Sequence, residues 1–175
     1  MENTTTTTKS IMLTYGLYLG LVSVIISVAN YSFGNVYKPH MAVNIISYVL
    51  IIAFIVLGLR AYKIGNKGFL RLGEAIKIGV GIALVSGIIA AIYFFMFSSY
   101  VEPDFTEKMG EFQEQLMYEK FPEMDEEIIE KQIEMSKKFM SPSIMAGMTI
   151  IGNLIIGLII SLIAGLIMKK EETDF

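Results

Sequence analysis

The sequence predicts an all-α membrane protein in which four transmembrane helices form a compact bundle and a short pair of amphipathic helices lies outside the membrane. The chain contains four long apolar runs, and each is close to the roughly 20 residues that cross a bilayer as a helix. No acidic or basic side chain lies deep inside any of these runs. In addition, 54% of the 175 residues are hydrophobic and the mean hydropathy is +0.58, which is too apolar for an ordinary soluble domain.

The apolar runs divide the chain into five consecutive segments. Residues 1–9 are expected to form a disordered cytoplasmic tail, and residues 10–98 to hold transmembrane helices 1 to 3. Residues 99–142 form an acidic segment outside the membrane, residues 143–170 the fourth transmembrane helix, and residues 171–175 a second cytoplasmic tail. The first run is longer than the roughly 7–15 apolar residues of a signal peptide, so we interpret it as a retained helix.

Small residues at helical spacing predict how the four spans pack. Lipid gives no hydrophobic drive for helix association, so close approach of the backbones at small residues must supply it. Asn153 is the most telling intramembrane residue, because an unpaired amide in hydrocarbon costs several kcal/mol. We therefore expect it to face a neighbouring helix, as a structural contact first and a ligand contact second. The candidate packing residues are Gly16, Gly20, Gly79, Ala83, Gly87, Asn153, Gly157, Ser161 and Gly165.

The positive charges predict which ends of the helices face the cytoplasm, where Lys and Arg collect. Lys9 precedes the first span, and Lys169 and Lys170 follow the last. The loop between the second and third spans carries five cations, Arg60, Lys63, Lys67, Arg71 and Lys77. We therefore expect both termini in the cytoplasm. The same five cations could attract anionic lipid headgroups, although the topology rule alone explains them.

The segment outside the membrane holds twelve acids and five lysines, and its pattern predicts two short helices. Asp104 is placed to cap the first helix and Asp125 the second, while Pro122 separates them. Residues with a spacing of three or four give the first helix an apolar face. That face is expected to pack on the second helix, to lie on the membrane, or to dock an envelope protein or a second copy of the chain. It consists of Phe105, Met109, Phe112 and Leu116.

The sequence offers no pattern that supports catalysis, a cofactor or a metal. It contains no Cys and a single His, His40, and the carboxylates are confined to the loops. The acids at 123–127 lack the spacing of a calcium loop, no phosphate-binding loop is present, and nothing favours nucleic-acid binding. We therefore expect a protein that is not an enzyme and whose first partner is the lipid bilayer.

Two functions remain open from the residues alone. The first is a non-enzymatic scaffold or accessory subunit that acts through its small-residue faces and its outer helices. The second is a small transporter or channel component. Four spans are few for a transport path in one chain, so the second function would require a homo-oligomer. The lack of intramembrane acids argues against proton-coupled transport but leaves a passive pore or lipid handling open.

The chain also resembles a known family. The stretch from Gly68 to Gly79, which leads into the third span, is similar to the bacterial integral-membrane family called domain of unknown function 4199, common in flavobacteria. The chain length, the four spans and the acidic segment before the last span resemble the same family, over about residues 8–170. The resemblance implies an inner-membrane location. It implies no activity, and no functional residue can be carried over from it.

Overall fold

The computed structural model describes residues 7–38 and 40–171, which form six α-helices. Four of these helices are long and apolar enough to cross a membrane, and they pack together. The predicted all-α class is therefore confirmed. In chain order the helices are α1 (Thr8–Phe33), α2 (Met41–Gly65), α3 (Leu72–Met96), α4 (Phe105–Lys120), α5 (Glu126–Phe139) and α6 (Pro142–Met168), and a π-helical segment, Phe97–Val101, extends α3.

The ends of the helices show where local sequence sets the structure. Thr7 caps α1 by accepting a hydrogen bond from the Ser10 N–H, so Thr8 and Lys9 are helical, contrary to the predicted disordered tail. The remaining tail residues, 1–6 and 172–175, lie outside the described residues. Asp125 caps α5, as predicted, and accepts from the Glu127 N–H at 3.2 Å. The predicted cap of α4 is wrong, because the Asp104 side chain makes no capping hydrogen bond.

Helix α3 lies at the centre of the four long helices and packs along much of its length against α6 and α1. Helix α2 contacts α1, α3 and α6 less extensively. The buried residues of α2 (Ile55, Gly58 and Leu59) all lie in its second half, and those of α1 all precede Leu21. We call the end where these residues lie the basic end, since it also carries the α2–α3 loop. The opposite end, which carries α4 and α5, is the hairpin end.

Polar contacts close the basic end. Leu70 and Lys170 exchange two backbone hydrogen bonds, of 2.9 and 3.0 Å, which join the α2–α3 loop to the chain after α6. Lys63 donates to the Met168 carbonyl at 2.7 Å, and the Tyr62 hydroxyl donates to Glu74 at 2.8 Å. Two of the five cations that the sequence assigned to a loop, Arg60 and Lys63, thus belong to the end of α2, and Lys77 belongs to the start of α3. All five lie at the same end of the bundle as Lys169 and Lys170.

Candidate functional site

A cavity of about 290 Å³ lies between the helices at the hairpin end of the bundle. Residues of α1, α2, α3 and α6 line it. It lies in this half of the bundle because α1 and α2 have no buried residues here. The polar groups of its lining are Ser23, Ser27, Asn30, Asn44, Ser47, Tyr93 and Thr149. An opening with this many hydrogen-bonding groups inside an otherwise apolar bundle is the strongest candidate for a binding site.

The hydroxyl groups of the cavity are only partly used by the protein. Ser27 donates to the Ser23 carbonyl at 2.9 Å, Ser47 to Val43 at 2.8 Å, and Thr149 to Met145 at 2.9 Å. Each of these bonds runs one turn back along its own helix, which leaves the hydroxyl oxygen free to accept. A ligand can therefore meet several acceptors without breaking a helix.

Packed side chains close the cavity toward the basic end. Leu19, Ile55 and Ile82 lie there and are at most 1% exposed. They belong to a continuous apolar core that extends to Leu70 and Ala75. The cavity therefore opens on one half of the bundle and ends inside it. This geometry suits binding, and among residues 7–38 and 40–171 the packed core blocks a passage from this cavity to the basic end.

Aromatic rings separate the cavity from the hairpin. Phe94 and Phe97 line the cavity and also pack edge-on against Phe105, the first residue of α4, with ring centroids 5.5 and 5.8 Å apart. Tyr37 also stacks on Phe105, with ring centroids 5.6 Å apart. Phe105 is only 4% exposed as a result. One side chain of the predicted apolar face of α4 is thus inserted into the hairpin end of the bundle.

The Glu102 carboxylate makes several polar contacts in the same region. Glu102 accepts hydrogen bonds from the Tyr31 hydroxyl at 3.0 Å and the Tyr37 hydroxyl at 3.1 Å, and it forms an ion pair with Lys108 of α4. The Lys108 ammonium, followed by the two hydroxyls, lowers the pKa of Glu102, and Glu102 in turn raises the pKa of Lys108. Burial, and then the bond to Glu102, raises the pKa of Tyr37. We call Glu102, Tyr31, Tyr37 and Lys108 the Glu102 cluster.

The lowered pKa predicts how hairpin docking depends on pH. The stabilisation from Glu102 is present above the pKa that this group has in the unfolded chain, and it is lost as the pH falls through the lowered folded value. Glu102→Gln should therefore reduce the hydrogen-exchange protection of α4 and α5 several-fold at neutral pH. The difference from the native chain should shrink at acid pH, where the native carboxyl is also neutral. Glu111→Gln, an exposed carboxylate on α4, is the control and should change little. Equal protection at neutral pH would contradict the role of Glu102.

The structure places the predicted small residues at contacts between helices. A methyl group on Gly79 would overlap Ser161, and one on Gly157 would overlap Ala83, so α3 and α6 approach closely at both positions. On the other side of α3, methyl groups on Gly16 and Gly20 would lie 2.6 Å from Val85 and Ile89. The remaining pairs are Gly87 with Asn153 and Gly165 with Ala75.

Asn153 lies against Gly87 of α3 and so faces a neighbouring helix. Its amide, however, donates at 2.9 Å to the Thr149 carbonyl of its own helix. The polar group is satisfied locally, while its Cβ supplies the interhelical contact. Ser86 and Ser161 follow the same pattern, since each donates at 3.1 Å to a carbonyl three residues back. Close packing rather than interhelical hydrogen bonding therefore joins α3 to α6 at these positions.

The predicted apolar face of α4 is only partly covered. Met109, Phe112 and Leu116 are half-buried. Phe112 and Leu116 line an open groove, together with Tyr37 before α2 and Asn44 in its first turn. The covered face of α5 holds Ile129 and Ile133, which are at most 5% exposed. Ser136 of α5 donates to Gln113 of α4 at 2.9 Å, and Thr106 donates to the Met140 carbonyl at 3.0 Å. The two helices are thus packed on each other as a hairpin.

A second apolar stripe runs along α5 and is exposed. Ile128, Met135 and Phe139 lie on one side of the helix and are 49, 60 and 63% exposed. Their spacing of seven and four residues places them on one line along an α-helix. Which side of α5 stays uncovered depends on its packing against α4 and is known only from the structure.

The five cations that could attract lipid headgroups lie in different environments at the basic end. Lys63 is used in the contact with Met168, and Lys67 adopts a left-handed backbone conformation with φ of 52°. Arg71 precedes α3, and its N–H donates to Glu74 at 2.9 Å. Arg60 and Lys77 are exposed. Among residues 7–38 and 40–171, no group of three His, Cys, Asp or Glu is placed to hold a metal ion.

The fold and the cavity define the class as a multi-pass α-helical protein compatible with a membrane, with a hairpin docked at one end. The chain belongs to the family described as "Protein of unknown function (DUF4199)", whose model matches residues 14–170 and so covers nearly the whole chain. The family membership predicted from the sequence is confirmed. No curated protein and no solved structure matches the chain.

Proposed function

We propose that this protein is a non-enzymatic accessory subunit of the bacterial inner membrane that holds an envelope partner on the exposed stripe of α5. The observation that carries the proposal is the combination of a hairpin docked on the bundle with an uncovered apolar line, Ile128, Met135 and Phe139. Apolar side chains outside the membrane at such positions commonly mark a contact with a partner. The Glu102 cluster and Phe105 hold the hairpin in one orientation, which lowers the ordering cost of binding.

Charge supports the proposed orientation. The α2–α3 loop and the residues after α6 meet at the basic end, and cytoplasmic segments collect such cations. With that end in the cytoplasm, both termini lie inside and the hairpin lies outside. The segment 99–142, which contains the hairpin, carries twelve acids and five lysines. This excess of negative charge disfavours a second copy and favours a partner whose apolar contact is surrounded by positive charge.

Helix packing within the chain limits which surfaces such a subunit can use to bind another protein. The small-residue faces were the first expected contact with other proteins, yet the small residues on them pack against neighbouring helices of this chain. Phe112 and Leu116 also point toward the start of α2 rather than away from it. The exposed stripe of α5 remains available to a partner outside the membrane.

Site-specific photocrosslinking in native membranes tests this proposal. A photoreactive side chain at Met135 should give one discrete adduct with another protein. That adduct should be lost when Ile128→Asp is added and should weaken at high salt. The same photoreactive group at Glu111, an exposed position on α4, is the control and should not give that adduct. Labelling of lipid alone at Met135, or the same adducts at both positions, would rule out the docking surface.

A transporter or channel component is the second candidate, because a cavity that carries several hydrogen-bonding side chains favours ligand handling. Its closed inner end means that a transport path would have to form in a homo-oligomer. A symmetric oligomer that moves a solute into liposomes would establish this function. A monomer that moves none would leave the accessory role as the better account.

A further inference from the structure

We propose that the cavity at the hairpin end binds a neutral lipid, with its uncharged head in the cavity and one chain between α1 and α2. This inference is independent of the docking surface on α5. It depends on the shape of two adjoining openings, on their lack of charge and on the amides that line them.

The two openings form one amphiphilic site. Beside the cavity, whose mainly apolar lining carries seven polar side chains, lies an apolar groove of about 320 Å³ between α1 and α2. Ile26, Asn30 and Val43 line both, so the groove continues the cavity toward the lipid. The rest of the groove is formed mainly by Ala29, Phe33 and His40. A molecule with a polar head and an apolar chain matches this order of surfaces, and it could enter sideways from the membrane.

Unused hydrogen-bonding groups indicate that the head is polar. Within the described residues, the side chains of Asn30 and Tyr93 are partly buried and that of Asn44 is exposed, and none of the three forms a hydrogen bond inside the protein, although all line the cavity. No buried side-chain polar atom among these residues lacks a partner, so the three groups are accessible from the opening and free to bind a ligand that enters it. An amide both donates and accepts, so it can bind a hydroxyl and an ester carbonyl together. The glycerol end of a diacylglycerol supplies both groups.

The absence of charge selects a neutral head over a phospholipid. Of the described residues that line the cavity and the groove, none is Asp, Glu, Lys or Arg, and His40 lines the groove but not the cavity that receives the head. The cavity extends from Asn30 to Ser23, about 10 Å along α1 at the rise of an α-helix. A phosphate carried to that depth would lose its hydration without gaining a cation. A diacylglycerol carries no charge and can reach the same depth.

Photolabelling of the full chain in nanodiscs tests the inference. The discs contain phosphatidylethanolamine and phosphatidylglycerol together with a diacylglycerol that bears a diazirine on one chain. Phosphatidylglycerol with the same diazirine chain is the comparison probe. We expect the diacylglycerol to label peptides within residues 23–47, and the phospholipid probe to label lipid-facing positions without that preference.

Two variants and a control decide the outcome. Asn30→Leu keeps the size of the side chain and removes its amide, so labelling of residues 23–47 should fall about tenfold. Ser27→Phe fills the cavity and should reduce labelling equally. Ser32→Leu, on the exposed end of α1, should leave it unchanged. If thermal unfolding shows that Ser27→Phe does not fold, Asn30→Leu decides alone. Equal labelling by both probes, or labelling that Asn30→Leu leaves intact, would overturn the neutral-lipid site.

Discussion

Replacing Gly79 with alanine should destabilise the bundle by about 1–3 kcal/mol, the usual cost of overpacking. The added methyl group would overlap Ser161 of α6 and lie 3.3 Å from Ile55 of α2. Ser161 meets it with a Cβ atom, which cannot move away without moving the helix. Thermal unfolding of the purified chain in detergent measures the effect, which we expect to be among the largest of any single methyl group added to these helices.

Gly152→Ala is the matched control, because it makes the same change in a long apolar helix. A methyl group there would meet nothing within 4 Å, so only the gain in helix propensity remains. That gain is roughly 0.5–1 kcal/mol in the stabilising direction. The two variants should therefore shift the unfolding temperature in opposite directions. A shift in the same direction for both would show that α3 and α6 do not approach as closely as the structure indicates.

A double variant separates packing from a general loss of helix stability. Ser161→Gly removes the Cβ atom that Gly79→Ala would overlap, so the pair exchanges the small and the larger residue across the same contact. The double variant should recover much of the stability lost by Gly79→Ala. It should therefore be more stable than the sum of the two single effects predicts. Additive losses would mean that the contact is not the cause.

The sequence predicted the parts of the fold that depend on local pattern. The four spans follow from the length and apolarity of their runs, and the close contacts of α3 with α6 occur at small residues already spaced by four. Asp125 was found from its position before a helix, as a cap should be. Asp104 was misassigned by the same reasoning. Glu107 lies three residues after Asp104, as a capping box requires, but the Asp104 side chain makes no capping hydrogen bond in the structure.

The candidate site could not be predicted in the same way, because no short segment contains it. Glu102 meets Tyr31 and Tyr37, which lie 71 and 65 positions away in the chain. The cavity exists because α1 and α2 bury their side chains only near the basic end, a property of packing rather than of either sequence. The serines and asparagines of α1 can be read from the sequence, but their position beside a cavity depends on how four helices pack together.

Replacing Phe105 with alanine should release the hairpin while leaving the four long helices folded. The side chain is 4% exposed, and its ring contacts those of Tyr37, Phe94 and Phe97. Truncating a buried Phe costs about 3–5 kcal/mol, so hydrogen exchange in α4 and α5 should rise by roughly a hundredfold or more. Phe121→Ala, at a position that is 50% exposed, makes the same truncation and should have little effect.

The distribution of the change along the chain decides what Phe105 does. If the exchange increase is confined to α4 and α5, the hairpin is a separate cooperative unit held on the bundle by Phe105 and the Glu102 cluster. If α1 and α2 lose protection as well, the same aromatic rings also hold the hairpin end of the bundle open around the cavity. In that case Phe105→Ala should reduce diacylglycerol labelling of residues 23–47 together with the protection of these helices. Unchanged exchange throughout would contradict the docking of the hairpin by this side chain.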